Sequence, residues 1–304
     1  MEHVLELEGV TKRFGPVTAV DRLSFQVPRG SVYGFLGPNG SGKTTTLRMV
    51  MSIFYPDEGR LRVLGRERAL EVKDRIGYLP EERGLYKKMK TADLLAYFGR
   101  LKGMDGRLAK SRARELLARF GLQEWADKPC EALSKGMGQK VQLLAVLIHE
   151  PELMILDEPF SGLDPVNMES MRGAILQMKR EGRTVLFSTH VMAQAEEICD
   201  YILLIDKGRK LLNGTLSEVK SSGPKGIRLD YDGDGSILRE LPGVTRINDA
   251  GKSAEIFLEE EADPQEILAR LVGRIVIRRF DLREPSLHEI FIRAVGAGEG
   301  RAAG

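Results

Sequence analysis

Only two cysteines occur in the 304 residues, Cys130 and Cys199, far apart and without metal-ligand spacing. That excludes a disulfide framework and a thiolate metal centre, and both thiols are expected to be reduced, cytosolic and without function. No apolar run reaches the roughly 18 residues that a membrane-spanning helix needs. The opening Met1-Glu2-His3-Val4 lacks the basic-then-apolar form of a signal peptide, so the chain is expected neither to span a membrane nor to be secreted. Any membrane role would then run through a partner. Charge of one sign is missing too. Lys plus Arg number 46 against 44 Asp plus Glu, a net +2, which gives no global pull toward nucleic acid or anionic lipid.

What is present is an ordinary soluble composition, 42% apolar and 30% charged, in a chain long enough for one large domain or two smaller ones. Up to residue 218, β-rich runs alternate with helical stretches. Strands are expected at Val32 to Leu36, Ile76 to Leu79, Leu153 to Leu156 and Val185 to Ser188. A hairpin is expected from Tyr201 to Leu212, turning at Asp206-Lys207-Gly208. Several of these runs are continuously apolar, which fits strands buried on both faces of a mainly parallel sheet. Between about 85 and 150 the pattern turns helical, with Leu94, Leu95 and Phe98 on one face and Ala113, Leu116, Leu117 and Phe120 on another. The fold class read from this is α/β, a phosphate-binding-loop cassette over residues 1–218 with an all-helical insert. Thr215-x-x-Glu218 reads as the capping box of a short closing helix. A linker is expected at 219–225, around Ser221-Ser222-Gly223-Pro224. A small α+β domain follows at 226–295 in the order βαββαβ of the ferredoxin-like folds, and a disordered Gly/Ala-rich tail at 296–304.

Three stretches carry chemistry. Gly37-Pro38-Asn39-Gly40-Ser41-Gly42-Lys43-Thr44 fits G-x-x-x-x-G-K-[ST] between an expected strand and an expected helix. Its glycines let backbone N–H groups converge on phosphate oxygens, and the helix start adds its positive dipole end. Lys43 is placed to reach the β- and γ-phosphates and the Thr44 hydroxyl to bind Mg²⁺. Leu153-Met154-Ile155-Leu156-Asp157-Glu158 is a buried strand that delivers two carboxylates at its C-terminal end, where ligands bind in parallel sheets. Asp157 would hold Mg²⁺ through water, and Glu158 would polarise an attacking water. An acidic strand end turned by Pro159 is the plain alternative. Leu133-Ser134-Lys135-Gly136-Met137 precedes a helix about twenty residues upstream of Asp157, and taken alone it could be no more than an N-capped structural helix.

In this order the motifs resemble the ATP-binding-cassette (ABC) family, whose signature is usually Leu-Ser-Gly-Gly-Gln; here Lys135 and Met137 depart from it. The resemblance covers about residues 3 to 218. It implies that Phe14 stacks on adenine, that Gly37 through Thr44 and Thr45 bind nucleotide, and that Ser134, Lys135, Gly136 and Met137 act on the partner's ATP. It also implies that Asp164, in Ser161-Gly162-Leu163-Asp164, reports on the opposite site, and that His190 contacts the γ-phosphate. Where the family usually has Gln after the strand at Ile76, this chain has Glu81, an acceptor without the amide donor but a candidate Mg²⁺ ligand beside Thr44 and Asp157. The ending Glu284-Pro285-Ser286-Leu287-His288-Glu289-Ile290-Phe291 resembles sodium-extrusion and drug-export subunits. The implied protein hydrolyses ATP with Mg²⁺ as a homodimer or heterodimer. It would power a separate transmembrane permease, with export implied by that ending, and sit on the inner face of the cell membrane without binding nucleic acid. Rival readings are a soluble ABC ATPase of translation or DNA repair, or a regulatory nucleotide-binding protein. The single phosphate-binding loop, the lack of sustained heptads and Glu158 speak against these in turn.

Overall fold

The computed structural model describes residues 2–81, 84–221, 223, 225–259 and 261–301, the last five as backbone only. It divides into two compact units, residues 1–213 and 214–304.

The first unit opens with an antiparallel sheet of order β2-β1-β4, formed by β1 (His3–Phe14), β2 (Val17–Pro28) and β4 (Glu58–Val63). In β1, Leu5 and Leu7 face the core, while Glu6 and Glu8 lie opposite Arg62 and Arg60 of β4. Opposite charges directly across a ladder favour that register.

The second sheet has the order β5-β6-β7-β3-β8-β9 among the described residues. Its strands are β3 (Val32–Leu36), β5 (Ile76–Leu79), β6 (Leu153–Asp157), β7 (Thr184–Thr189), β8 (Tyr201–Asp206) and β9 (Arg209–Thr215). Pairing is parallel from β5 to β8. Every residue of β3, β6 and β7 is buried, as their unbroken apolar runs require. Lys207 and Gly208, both at positive φ, make the tight turn that returns β9.

Helix α1 (Lys43–Val50) follows β3, and α2 (Thr91–Leu101), α3 (Gly106–Arg119) and α4 (Lys135–Leu147) lie between β5 and β6. Leu94, Leu95, Ala113, Leu116 and Leu117 are buried between these helices. Helix α5 (Pro165–Arg180) starts on the Asp164 cap with proline at its first turn and ends before Gly182, whose φ is +79°. The short α6 (Met192–Glu196) follows β7. Cys130 and Cys199 are both free and buried, and burial pushes both thiols up.

The second unit contains α7 (Leu216–Ser221), β10 (Gly226–Asp232), β11 (Val244–Asp249), β12 (Ser253–Leu258), α8 (Pro264–Leu271), β13 (Val276–Arg283) and α9 (Leu287–Arg301). Its sheet is antiparallel in the order β11-β12-β10-β13. β12 lies between β10 and β11, which is the split βαβ arrangement of ferredoxin-like folds. A 3₁₀ segment, Gly235–Glu240, stands where the first helix is expected. Ile227, Leu229, Ile256, Ile267 and Leu271 form the core.

Thr215 and Glu218 do form the capping box, each side chain accepting the other's backbone N–H at 3.2 and 2.8 Å, but α7 groups with the second unit. There it packs on α9 and Lys220 pairs with Glu284 at 3.3 Å. The tail is helical through Arg301, where disorder is expected from Gly296 onward; residues 302–304 lie outside the described residues. No proline interrupts this Gly/Ala run, so it extends a helix already nucleated by the buried Leu287 and Ile290. Ser222 and Pro224 of the expected linker also lie outside the described residues.

Candidate active site

β3 ends at Leu36 and α1 begins at Lys43, so residues Gly37 to Gly42 form the loop between them. Glycine is required at two of these positions for different reasons. A Cβ on Gly37 would lie 2.3 Å from the Ile205 carbonyl oxygen; Gly42 combines a φ of +101° with the Ala19 carbonyl oxygen 2.4 Å from where its Cβ would be. Pro38, Asn39, Gly40 and Ser41 complete the loop, and Thr44 and Thr45 lie in the first turn of α1. Two residues along β2 from Ala19, Val17 is the register partner of Phe14. The antiparallel sheet therefore brings Phe14 to the side of the loop, 43% exposed and edge-on to Phe54.

Lys43 is 6% exposed. Its ammonium donates to the Gly37 and Pro38 carbonyl oxygens at 2.8 and 3.1 Å and lies 3.6 Å from the Glu158 carboxylate. Burial pulls its pKa down, and the carboxylates of Glu158 and Asp157 oppose that shift.

Parallel register places Asp157 of β6 opposite Ser188 of β7. The Ser188 hydroxyl donates to Asp157 Oδ1 at 2.5 Å and accepts the Glu158 N–H at 3.1 Å. Thr44 also reaches Asp157 Oδ1, at 3.4 Å, while Asp157 Oδ2 is buried without a partner. Sequence reading took Ser188 only as a strand end; its role comes from the register of two distant strands. Glu158 has a φ of +47°, a strained value for a residue with a side chain, and such strain concentrates at functional sites. This turn keeps Glu158 within 3.1 Å of His190 Nδ1. A carboxylate only accepts, so Nδ1 carries the proton in that contact.

A Mg²⁺ ion fits this donor set: a buried carboxylate with one oxygen unpartnered, a threonine hydroxyl 3.4 Å from the other oxygen, and a loop suited to phosphate. No cluster of three or more His, Cys, Asp or Glu side chains forms a metal cage among the described residues. Mg²⁺ characteristically uses few protein ligands together with substrate phosphates and waters. Glu81 follows the end of β5 by two residues, as Glu158 follows Leu156, the register partner of Leu79. Its charge acts on Lys43.

The remaining predicted residues form a second cluster. Ser134 caps α4, accepting the Met137 N–H at 3.3 Å. A Cβ on Gly136 would meet the Asn167 side-chain nitrogen at 2.1 Å. Asn167 in turn donates to both carboxylate oxygens of Asp164, at 3.0 Å from its backbone and 2.5 Å from its side chain. Gln139 donates to the Ser161 carbonyl oxygen at 3.1 Å. Among the described residues, 134–137 make no hydrogen bond or ion pair with 37–44. Glu81, Ser134, Lys135 and Gln139 line one cleft of about 690 Å³. An adjoining groove of about 400 Å³, sharing Leu85 with that cleft, is lined by Tyr78, Leu85, Phe98, Leu101 and His149. No helix among the described residues is long and apolar enough to cross a membrane.

Comparison with known proteins gives the family. Residues 20–161 match the ABC transporter family, and residues 214–295 match the C-terminal domain of ATP-binding proteins like DrrA1-3. The chain is 43% identical over 295 residues to an uncharacterized ABC transporter ATP-binding protein, YhaQ, of Bacillus subtilis, covering 97% of this chain and 99% of that one. It is 34% identical to the Nod factor export ATP-binding protein I of Ralstonia nicotianae, covering 96% and 94%. A solved ATP-binding subunit of an ABC transporter superposes with a TM-score of 0.65 at 29% identity, over 72% of this chain and 92% of that chain. The chain belongs to the ATP-binding, ATP-hydrolysing subunits of ABC transporters.

Proposed function

We propose that the chain hydrolyses ATP at two sites shared across a dimer of cassettes and thereby drives export through a separate transmembrane permease. The observation that carries this reading is the division of the site within one chain. Lys43, Asp157, Glu158 and His190 converge around the phosphate-binding loop, while Ser134 caps α4 and Gly136 packs on Asn167, which is tied to Asp164. Each cluster is one half of the composite ATP site that the family resemblance implies.

In this reading Lys43 exchanges its two loop carbonyls for the β- and γ-phosphates, and Phe14 stacks on the adenine. Thr44, Asp157 through water and Glu81 would hold a Mg²⁺ ion, which when bound would supply positive charge to the phosphates. Glu158 takes the proton of the attacking water, and His190, fixed through Nδ1, offers its other nitrogen to the γ-phosphate. Positioning and electrostatics supply most of the rate, because phosphoryl transfer demands little covalent work from the protein. The partner's Ser134 and Gly136 close the site. The groove of Tyr78, Leu85 and Phe98, whose lining includes Pro80 next to Glu81, takes a helix of the permease. Export rests on the matched C-terminal domain and on the Nod factor relative.

The test is complementation between damaged chains. Lys43→Ala and Ser134→Arg chains should each be inactive as homodimers. A mixed dimer carries one doubly damaged site and one intact site, so activity should partly return on mixing. Confirmed subunit exchange without that return overturns the shared-site reading.

A further inference from the structure

Strand β1 runs past the end of its ladder with β4. The last register pair is Thr11 with Glu58, and Lys12, Arg13 and Phe14 lie beyond it. The pairing of β1 with β2 shifts register at the same place, between Lys12 and Arg13, and such a shift disrupts a ladder locally. One side chain takes over where the ladders fail. Asp57 Oδ2 accepts the Arg13 N–H at 2.6 Å, and Oδ1 accepts the Lys12 ammonium at 2.9 Å. The Asp57 N–H donates to the Thr11 carbonyl oxygen at 2.8 Å. The Lys12 ammonium and then the Arg13 N–H hold the Asp57 carboxyl below its ordinary pKa, so it stays ionised at neutral pH. The same ammonium lies 5.5 Å from the centroid of the Phe14 ring, within the range of cation–π attraction.

The segment that carries Asp57 also leads back to the phosphate-binding loop. Three residues earlier, Phe54 meets Phe14 with ring centroids 5.4 Å apart and planes at 73°. The N–H groups of Ile53 and Phe54 return to the carbonyl oxygen of Arg48, in the last turn of α1, at 2.9 and 3.3 Å. Helix α1 begins at Lys43, so one continuous stretch of chain runs from the phosphate-binding lysine to the two residues that hold Phe14. A pair as open to water as Lys12 and Asp57 contributes little to stability. What it supplies is orientation of the strand end.

We infer that Asp57 is a positioning residue for the base: through Lys12 and the Arg13 N–H it fixes the ring of Phe14 relative to the phosphate-binding loop. The inference rests on the reading that Phe14 stacks on adenine, and it adds the residue that sets the ring. Asp57→Asn keeps the shape and one acceptor for the Arg13 N–H, but it turns an amide donor toward the Lys12 ammonium. The ring is then held by Phe54 alone.

A double-mutant cycle in the full chain tests this, read as the ATP concentration for half-maximal hydrolysis. Phe14→Ala should raise that concentration about 5–150-fold, the worth of stacking a base on an aromatic side chain. Asp57→Asn should raise it about three- to tenfold, the part of an aromatic pair that depends on its geometry, with less effect on the maximal rate. Added to Phe14→Ala, Asp57→Asn should change it by less than about twofold, because no ring is left to position. Lys12→Met, which removes the ammonium and keeps the stem, should follow the same pattern, and it carries the cycle if Asp57→Asn does not fold. Glu58→Gln is the control. It removes the neighbouring ion pair with Arg13, at 2.8 Å, leaves Lys12 and Asp57 in place, and should not alter the ATP dependence. An Asp57→Asn shift that persists in full without Phe14, no shift in its presence, or an equal shift from Glu58→Gln would overturn the inference. An unchanged ATP dependence of Phe14→Ala would instead overturn the stacking reading on which it rests.

Discussion

Ser188→Ala tests whether the carboxylates of Asp157 and Glu158 are held in place by one hydroxyl. The serine is fully buried and makes two contacts in opposite senses, donating to Asp157 and accepting from the Glu158 N–H. Alanine leaves the backbone and nearly all the volume unchanged, so packing contributes little. Losing a hydrogen bond to a charged acceptor costs about 1.5–3 kcal/mol, and a buried N–H left unpaired costs about 1–3 kcal/mol. Relaxation recovers part of this, which leaves about 3–4 kcal/mol. For a unit of this size each kcal/mol lowers Tm by roughly 2–4 °C, so the cassette transition should fall by about 10 °C. Asp157 Oδ1 would keep only Thr44, at 3.4 Å, and Glu158 would lose the contact that supports its strained φ of +47°. Turnover should therefore fall as well, with both carboxylates less firmly aimed. Thermal unfolding of wild type and variant, in parallel with steady-state hydrolysis, decides the matter. A Tm within about 2 °C of wild type together with normal turnover would refute the view that this hydroxyl organises the site.

Glu158→Gln keeps the shape but cannot take a proton; turnover should fall roughly 10²–10⁴-fold while ATP binding persists and an ATP-bound dimer accumulates on size-exclusion chromatography. Near-normal hydrolysis would remove Glu158 from the role of base. Lys43→Ala should weaken ATP binding by about 10–150-fold in a titration, the worth of a hydrogen bond to a charged group, and unchanged affinity would count against the phosphate-binding role of the loop. His149 faces Ile76 with its Nε2 at 3.1 Å, and burial, reinforced by the charge of Lys102, pushes its pKa down to about 4. Between about pH 4 and 6.5 the unfolded chain binds a proton that the folded chain resists, so this contribution is complete above that window and is lost as the pH falls through it. His149→Gln should flatten the decline of Tm with acid in that range, and parallel curves for the two proteins would show that His149 titrates normally.

How far the sequence discloses the site depends on how local each cause is. β3, β6 and β7 are legible because burial on both faces demands an unbroken apolar run, and such runs are visible residue by residue. The order β10-β11-β12-β13 with its helices is legible from alternation and turns for the same reason. The antiparallel sheet of β1, β2 and β4 is not: its ladders shift register at several points, so period-two alternation is broken by residues such as Gly9, at a φ of +59°. Lys43 and Asp157 are recognisable from motif spacing, whereas Ser188 is not. A serine at a strand end is commonplace, and only the parallel pairing of two strands about thirty residues apart in sequence sets it against Asp157. Asn167 is hidden in the same way. Its sequence position marks a helix N-terminus, but nothing local shows that it fills the space that Gly136 leaves open.

That last contact bears on how the two half-sites of one subunit communicate. From Asp157 to Asn167 the chain is a short, continuous segment, and both ends are occupied. At one end Asp157 and Glu158 face Lys43 and His190; at the other, Asp164 holds Asn167 against Gly136. Between them Ser161 takes the Gln139 amide and Gly162 lies under Lys135. The segment thus touches α4 at three successive points, and Phe160 anchors its middle edge-on to Phe187 of β7, the strand that also supplies Ser188. A charge change at the nucleotide alters the balance of forces on Asp157 and Glu158 directly. Any backbone adjustment there is carried by a segment too short and too well anchored to absorb it, because packed interiors transmit displacement instead of dissipating it. The N-terminal end of α4 is therefore joined by direct contacts to the segment that carries Asp157 and Glu158, while in the shared-site reading it contacts the nucleotide bound by the partner. In the shared-site reading, this segment is the structural connection within each subunit through which two ATP sites arranged in this way would be coupled.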